Sequence, residues 1–156
     1  INNAVGNPLL NDGPNFLSGH LEINNEFGGL TQTQEKYDGK IRAKRISNDF
    51  EQLNTVIGII ATDAPLNRMQ LKRMSIMCHG SISRSIHPSH TPMDGDTIFA
   101  ISTSDISCNV SEEINKLDLT IIGTIASDTF SRACNRAIFE AKNIGGKPSW
   151  KDLFEN

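Results

Sequence analysis

Asn54-Thr55-Val56-Ile57-Gly58-Ile59-Ile60-Ala61-Thr62 decides the fold of this chain. Side chains branched at Cβ dominate it, and such residues pack well on a pleated surface, so the run predicts a strand. Its apolar positions are continuous rather than alternating, which predicts burial on both faces. Gly58 leaves room for a close neighbour. A second run of the same character, Asp96-Thr97-Ile98-Phe99-Ala100-Ile101-Ser102-Thr103, predicts a second strand over 96–103. Each run has polar chemistry at its mouth: a hydroxyl after an asparagine in the first, and two carboxylates in Met93-Asp94-Gly95-Asp96 in the second.

Between the two strands Leu71, Met74, Cys78, Ile82 and Ile86 recur at helical spacing. Asp63 is the expected cap, Pro65 fits the first turn, and His87-Pro88 ends the helix. Ser75, Gly80, Ser81, Ser83 and Ser85 give it a thin side for close packing. A second helix is expected from about Ser111 to about Lys142, capped by Ser111, with Glu112 and Glu113 at the positive end of its dipole. Its expected buried stripe is Ile114, Leu117, Ile121, Ile125, Phe130, Ala133, Ala137 and Ala141. Gly145-Gly146 stops it, and Trp150 reads as the packing anchor of a tail.

Upstream, residues 1–5 read as the end of a strand closed by Gly6-Asn7-Pro8. Residues 9–40 are rich in Asn, Gly, Asp and Pro, with turn signals at Asn11-Asp12-Gly13-Pro14 and Phe27-Gly28-Gly29. They read as a long excursion with little regular structure, of the kind that is often functional. Residues 41–54 lead into the Asn54-Thr55 junction. Strands and helices alternate, so the class is α/β, or layered α+β. Two or three strands make a poor sheet alone, so partner strands are expected from elsewhere.

With 156 residues, 37% hydrophobic and 21% charged, the chain suits one globular domain. A net charge of -3 gives no basic excess for nucleic acid, and no apolar run is long enough for a membrane span. Cys78, Cys108 and Cys134 are widely spaced with no C-x-x-C, which reads as free thiols in a reducing, cytoplasmic setting. The chain opens on Ile1 rather than methionine, which suggests a processed piece of a longer protein.

The chemistry gathers at the junction. If the Asn54–Thr55 bond is cut, Thr55 gains a free amine beside its own hydroxyl, the minimal kit for a threonine nucleophile whose base is its own N-terminus. Asp94 and Asp96 flank one glycine and in extended backbone face the same side. His87, His90, Asp94 and Asp96 also form a metal-like cluster, but not at the spacing of a known zinc site. No phosphate loop or dinucleotide fingerprint is present.

At these residues the chain resembles the self-processing L-aminopeptidase/D-esterase family, which includes β-peptidyl aminopeptidases and 6-aminohexanoate-oligomer endo-hydrolases. The matching blocks are Asn2-Asn3-Ala4-Val5-Gly6, Asn54 to Gly58, Ala61-Thr62-Asp63-Ala64-Pro65-Leu66, His87 to Ala100, and Gly145 to Trp150. Residues 9–53 carry no match, and the family's N-terminal half is absent. The resemblance implies a four-layer αββα sandwich like that of N-terminal-nucleophile hydrolases, of which this chain is the central-to-C-terminal part. It implies an inactive precursor that cuts itself before the nucleophile, and homo-oligomers of the cut pair. Residues 1–54 would then end the N-terminal subunit and residues 55–156 would form the nucleophile-bearing subunit.

On this reading Thr55 is the nucleophile, released by cleavage after Asn54. One of Asp94 and Asp96 orients the hydroxyl, and the other holds the ammonium form or assists proton transfer. Asn3 donates its amide to the oxyanion, with Asn7 as the fallback. The substrate is a peptide or oligoamide, and no cofactor or metal is required. The competing readings are an incomplete homologue acting as an assembly subunit, and a metal-assisted hydrolase built on the His/Asp cluster.

Overall fold

The computed structural model describes residues 2–30, 36–43, 54–104 and 114–155. Its elements are β1 (Asn2–Asn3), a 3-10 turn (Gly19–Leu21), β2 (Thr55–Thr62), α1 (Arg68–Ser85), β3 (Thr97–Ser102), α2 (Lys116–Phe139) and α3 (Trp150–Phe154). Among the described residues the sheet is three-stranded in the order β1-β2-β3. β1 is antiparallel to β2, and β3 is parallel to it, as a strand–helix–strand crossover requires. The mixed α/β class is as expected.

The two helices cover one face of the sheet. Val56, Ile60 and Ile98 point into a core with Met74, Cys78, Ile82 and Ile86 of α1 and its end, and Ala126, Phe130 and Cys134 of α2. The expected stripe of α1 is therefore buried, with Leu71 half-buried at its start. An ideal Cβ on Gly58 would sit 2.1 Å from the Phe130 ring, so the strand needs glycine there.

Burial of β2 on both faces is not what the described residues show. Val56 and Ile60 are covered, whereas Ile57 and Ile59 are exposed, as are Phe99 and Ile101 on β3. The cause is that both helices lie on the same side, leaving the other side of the sheet bare.

The stripe of α2 also differs from expectation. Leu117, Ile121 and Ile125 face outward, and Ala133, Ala137 and Ala141 are exposed. The inward face is instead Gly123, Ala126, Ser127, Phe130, Ser131, Cys134 and Asn135. Small residues let the helix axes approach, and the serines complete a polar seam. Ser81 Oγ donates to the Ser127 carbonyl at 2.7 Å and lies 2.8 Å from Ser127 Oγ. One turn on, Ser85 lies 3.1 Å from Ser18, which donates to Asn135 Oδ1 at 3.0 Å. Of the thin side expected on α1, it is Ser81 and Ser85 that are buried in this packing.

Both helices start later than the sequence suggests. Asn67, not Asp63, caps α1: its side chain accepts from Met69 and Gln70, and the Gln70 side chain accepts from the Asn67 N–H. This reciprocal box satisfies three backbone donors, the N–H groups of Asn67, Met69 and Gln70. Asn115 caps α2 by accepting from Leu117 and Asp118. The cap expected at Ser111, the acidic Glu112 and Glu113, and Cys108 lie outside the described residues.

The excursion over residues 9–30 has little regular structure but is well packed. Phe16 and Phe27 join Phe139 and Trp150 in an aromatic cluster, with Phe16 stacked on Trp150 at a centroid distance of 5.7 Å. Trp150 Nε1 donates to the Pro14 carbonyl at 3.2 Å, so it is the anchor its sequence position suggested. Gly145 and Gly146, both at positive φ, form the turn after α2, and α3 follows where a tail was expected.

Candidate active site

Thr55 is the first residue of β2 and is held from both flanks. In β1, Asn3 lies directly opposite Thr55 and Asn2 opposite Val56. Directly opposed residues share a face, so Asn3 is on the same side as Thr55. On the other flank the parallel register pairs Asn54 with Asp94 and Ile57 with Thr97, which brings Gly95 beside Thr55 and Asp96 beside Val56.

The backbone around the junction is tightly bonded. The Thr55 hydroxyl donates to the carbonyl of Asn54 at 2.5 Å. The same carbonyl accepts the Gly95 N–H at 2.9 Å. Asp96 Oδ1 accepts the Val56 N–H at 2.9 Å. Asp94 Oδ1 accepts the Val5 N–H at 3.2 Å, and its Oδ2 accepts from Thr91 N and Oγ1 at 3.1 and 2.7 Å. Asp96 thus holds the chain next to Thr55 by its backbone, while Asp94 ties the segment after β1 to Thr91.

The Asp96 side chain is enclosed, only 4% exposed. His90 Nδ1 lies 2.7 Å from Asp96 Oδ2, an ion-pair distance, without completing a hydrogen bond to it. His87 is elsewhere: its ring meets Tyr37 edge-on and its backbone pairs with Asn7. The His/Asp set of the sequence is therefore split. Among the described residues no group of three His, Cys, Asp or Glu side chains is placed to hold a metal ion. Asn7 Oδ1 accepts the Leu9 N–H at 3.0 Å, a turn bond before and across Pro8.

The cysteines offer no competing nucleophile among the described residues. Burial pushes the Cys78 thiol up to about 11 and the Cys134 thiol up to about 12. Both stay protonated at neutral pH, and a thiol is a poor nucleophile in that form. A cleft of about 660 Å³ lies between the start of α1 and β3, lined by Leu66, Leu71, Ile98 and Phe99 among others. Thr55, Asn3, Asp94 and Asp96 do not line it.

The sequence did not single out Gly95 or assign His90 to Asp96. The signal for Gly95 was its place between two aspartates at the mouth of a strand. For His90 nothing in the spacing separates a contact with Asp96 from a metal ligand.

The Thr55 hydroxyl thus rests on the preceding carbonyl, with Asp94 and Asp96 at the neighbouring strand mouth. The model of peptidase family S58 matches residues 10–150, including residues 10–53 where the sequence blocks carried no match, and the chain belongs to that family. It is 35% identical over 109 residues to an uncharacterised aminopeptidase of Mycobacterium tuberculosis, covering 65% of this chain and 31% of that protein. An uncharacterised aminopeptidase of Mycobacterium leprae is 28% identical over 158 residues, covering 97% of this chain and 42% of the relative. A 6-aminohexanoate-oligomer endohydrolase of Agromyces is 32% identical over 90 residues, which is 55% of this chain and 25% of that enzyme. The chain thus spans well under half the length of these curated relatives. Among the described residues, no helix is long and apolar enough to cross a membrane.

Proposed function

We propose that this chain carries the self-cleaving and catalytic centre of an amide-bond hydrolase, with Thr55 as an N-terminal nucleophile released by cutting the Asn54–Thr55 bond. The observation that carries the reading is the Thr55 hydroxyl on the oxygen of the Asn54 carbonyl at 2.5 Å, the group it would attack. Thr55 Oγ attacks that carbon, its proton passes to the Thr55 nitrogen, and the C–N bond breaks to leave an ester. Water then hydrolyses the ester, releasing the Asn54 carboxylate and restoring the Thr55 hydroxyl beside the amine freed in the shift. An α-amino group titrates near pH 8, so it accepts the hydroxyl proton at cellular pH.

Turnover repeats the sequence on a peptide or oligoamide, through an acyl ester on Thr55. Family membership and relatives named as aminopeptidases and an oligoamide endohydrolase support that substrate class. Asp96, enclosed and bonded to Val56 next to the new terminus, holds the ammonium form of Thr55. Asp94 fixes the strand mouth, and Asn3, opposite Thr55, serves the oxyanion of the substrate. No cofactor takes part.

Residues 1–54 end the N-terminal subunit and residues 55–156 form the nucleophile-bearing one. The bare face of the sheet supports a completed αββα sandwich, the missing sheet coming from an N-terminal segment of the same protein. A homo-oligomer of the cut pair in the cytoplasm is proposed on the family resemblance. The test is intact mass and N-terminal sequencing of the full-length gene product. A new terminus at Thr55 is expected, and Thr55→Ala abolishes it together with amidase activity. A fully active enzyme with the bond intact overturns the reading.

A further inference from the structure

We propose that the backbone N–H of Gly95 is the oxyanion donor for cutting the Asn54–Thr55 bond, and that residue 95 is glycine because the attacking hydroxyl occupies the space a side chain would take. This rests on the Thr55 reading above and adds a group to it.

Two donors converge on the Asn54 carbonyl: the Thr55 hydroxyl at 2.5 Å and the Gly95 N–H at 2.9 Å. They fare differently as the reaction proceeds. The hydroxyl gives up its proton when Thr55 Oγ bonds to the Asn54 carbon, so its hydrogen bond to the oxygen is lost. The Gly95 N–H stays and meets the negative charge that develops there. A donor that is fixed before the charge appears needs no reorganisation, which is what makes such groups effective. Here the fixing is visible, because Asp94 is bonded to Val5 and twice to Thr91 by its carboxylate, and its N–H donates to the Thr91 carbonyl at 2.9 Å. The oxyanion then collapses with loss of the Thr55 nitrogen, which has taken the hydroxyl proton, and water hydrolyses the ester.

The glycine needs a separate reason. Gly28, Gly29, Gly39, Gly145 and Gly146 adopt positive φ, and Gly95 does not. Conformation therefore does not demand glycine at 95. Space is the tighter constraint: an ideal Cβ there would lie 3.1 Å from Thr55 Oγ1, so the hydroxyl would have to shift by a few tenths of an ångström, while the Asn54 carbonyl oxygen, at 4.0 Å, is at ordinary contact distance. A methyl group would crowd the nucleophile itself while leaving the N–H in place.

The two halves are tested separately in the full-length gene product, with cleavage followed by intact mass. Replacing Gly95 by glycolic acid exchanges one N–H for an oxygen and adds no volume. Cleavage is expected to slow by about 10²–10³-fold, the usual loss for one oxyanion donor. Gly95→Ala keeps the donor and displaces the hydroxyl, and is expected to slow cleavage about tenfold or more. A folded ester variant cut at the wild-type rate overturns the donor, and so does one that cannot fold, since the bond is then only a rung of the sheet. Gly95→Ala cut at the wild-type rate overturns the spatial argument. Thr55→Ala separates this from the underlying reading: if that variant is itself cut, Thr55 is not the nucleophile. If it is blocked while the ester variant is cut normally, only the assignment of Gly95 falls.

Discussion

The two faces of β2 and β3 have the same kind of sequence and opposite surroundings. Val56, Ile60 and Ile98 are at most 8% exposed beneath α1 and α2. Ile57, Ile59, Phe99 and Ile101 are 41 to 66% exposed on the other side. A contiguous patch of large apolar side chains is not the normal surface of a soluble monomer. Thr55 sits at the edge of that bare face, alternating with the covered Val56. The face that carries the proposed nucleophile is thus the one the described residues do not cover, which couples completion of the fold to completion of the site.

The strongest way to break this comparison is to truncate one residue on each face. In the full-length gene product, Ile60→Ala is expected to cost about 2–5 kcal/mol, the usual range for a large-to-small change in a core. If a second sheet covers the bare face, Ile59→Ala costs a similar amount despite its 66% exposure here. Denaturant unfolding of both variants measures it. A cost for Ile59→Ala below about 0.5 kcal/mol, typical of a surface position, would leave that face open to water and remove the support for a sandwich.

The same contrast explains what was legible in the sequence. Elements with one dominant signal were read well: the β-branched run of β2 and the i, i+4 spacing of Met74, Cys78, Ile82 and Ile86. The end of α2 was not, because it closes at Phe139 with Glu140 as its C-cap, before the Gly145-Gly146 turn. The orientation of α2 was misread because large apolar residues were expected inside. In fact the close approach to α1 selects Gly123, Ala126, Ser127 and Ser131, whose value lies in being small and in bonding to Ser81 and Ser85. Helix starts were missed because several residues can cap, and only reciprocal bonding distinguishes Asn67 from Asp63. At the site, Thr55, Asp94, Asp96 and Asn3 were singled out in the sequence, and β1, β2 and the strand mouth before β3 bring them together. Gly95 was not legible, because its proposed role lies in a backbone N–H and an absent side chain.

Two glycines on the covered side sharpen the comparison at smaller magnitude. A Cβ on Gly58 would fall 2.1 and 2.4 Å from two carbons of the buried Phe130 ring. The ring is rigid and enclosed, so Gly58→Ala is expected to cost about 1–3 kcal/mol by overpacking. A Cβ on Gly123 would also be too close, 2.3 Å from Met77 Sδ, but that obstacle is a flexible thioether that is half-buried. Gly123→Ala removes glycine from a helix interior, a gain of about 1 kcal/mol that offsets repacking. Its net effect is expected to be below that of Gly58→Ala. Thermal melts of the pair decide it. The reverse order would mean that α2 rather than the sheet sets the tightest contact of the core.

The smallest effect concerns how the excursion is fastened to the outer side of α2. Glu26 pairs with Arg132 through both carboxylate oxygens, with Nη2 to Oε2 at 2.9 Å, and Arg136 Nη1 lies 3.9 Å away. The hydrogen bond from Arg132 is the main reason the Glu26 carboxyl sits below its usual range. A depressed folded value means the pair stabilises fully above the unfolded value, near 4.5, and is lost as pH falls through the folded one. Glu26→Gln is therefore expected to cost about 1 kcal/mol or less at pH 7, since the pair is partly solvated. The gap to wild type should narrow as pH drops below about 4.5, as the unfolded carboxylate and then the folded one take up protons. Urea unfolding at pH 7 and pH 3 measures both. A gap that is the same at the two values would show that Glu26 acts by packing against Arg132 rather than by charge. The excursion would then be held to α2 by the same apolar means as Phe16 and Phe27, and the contrast between covered and bare surfaces would rest on burial alone.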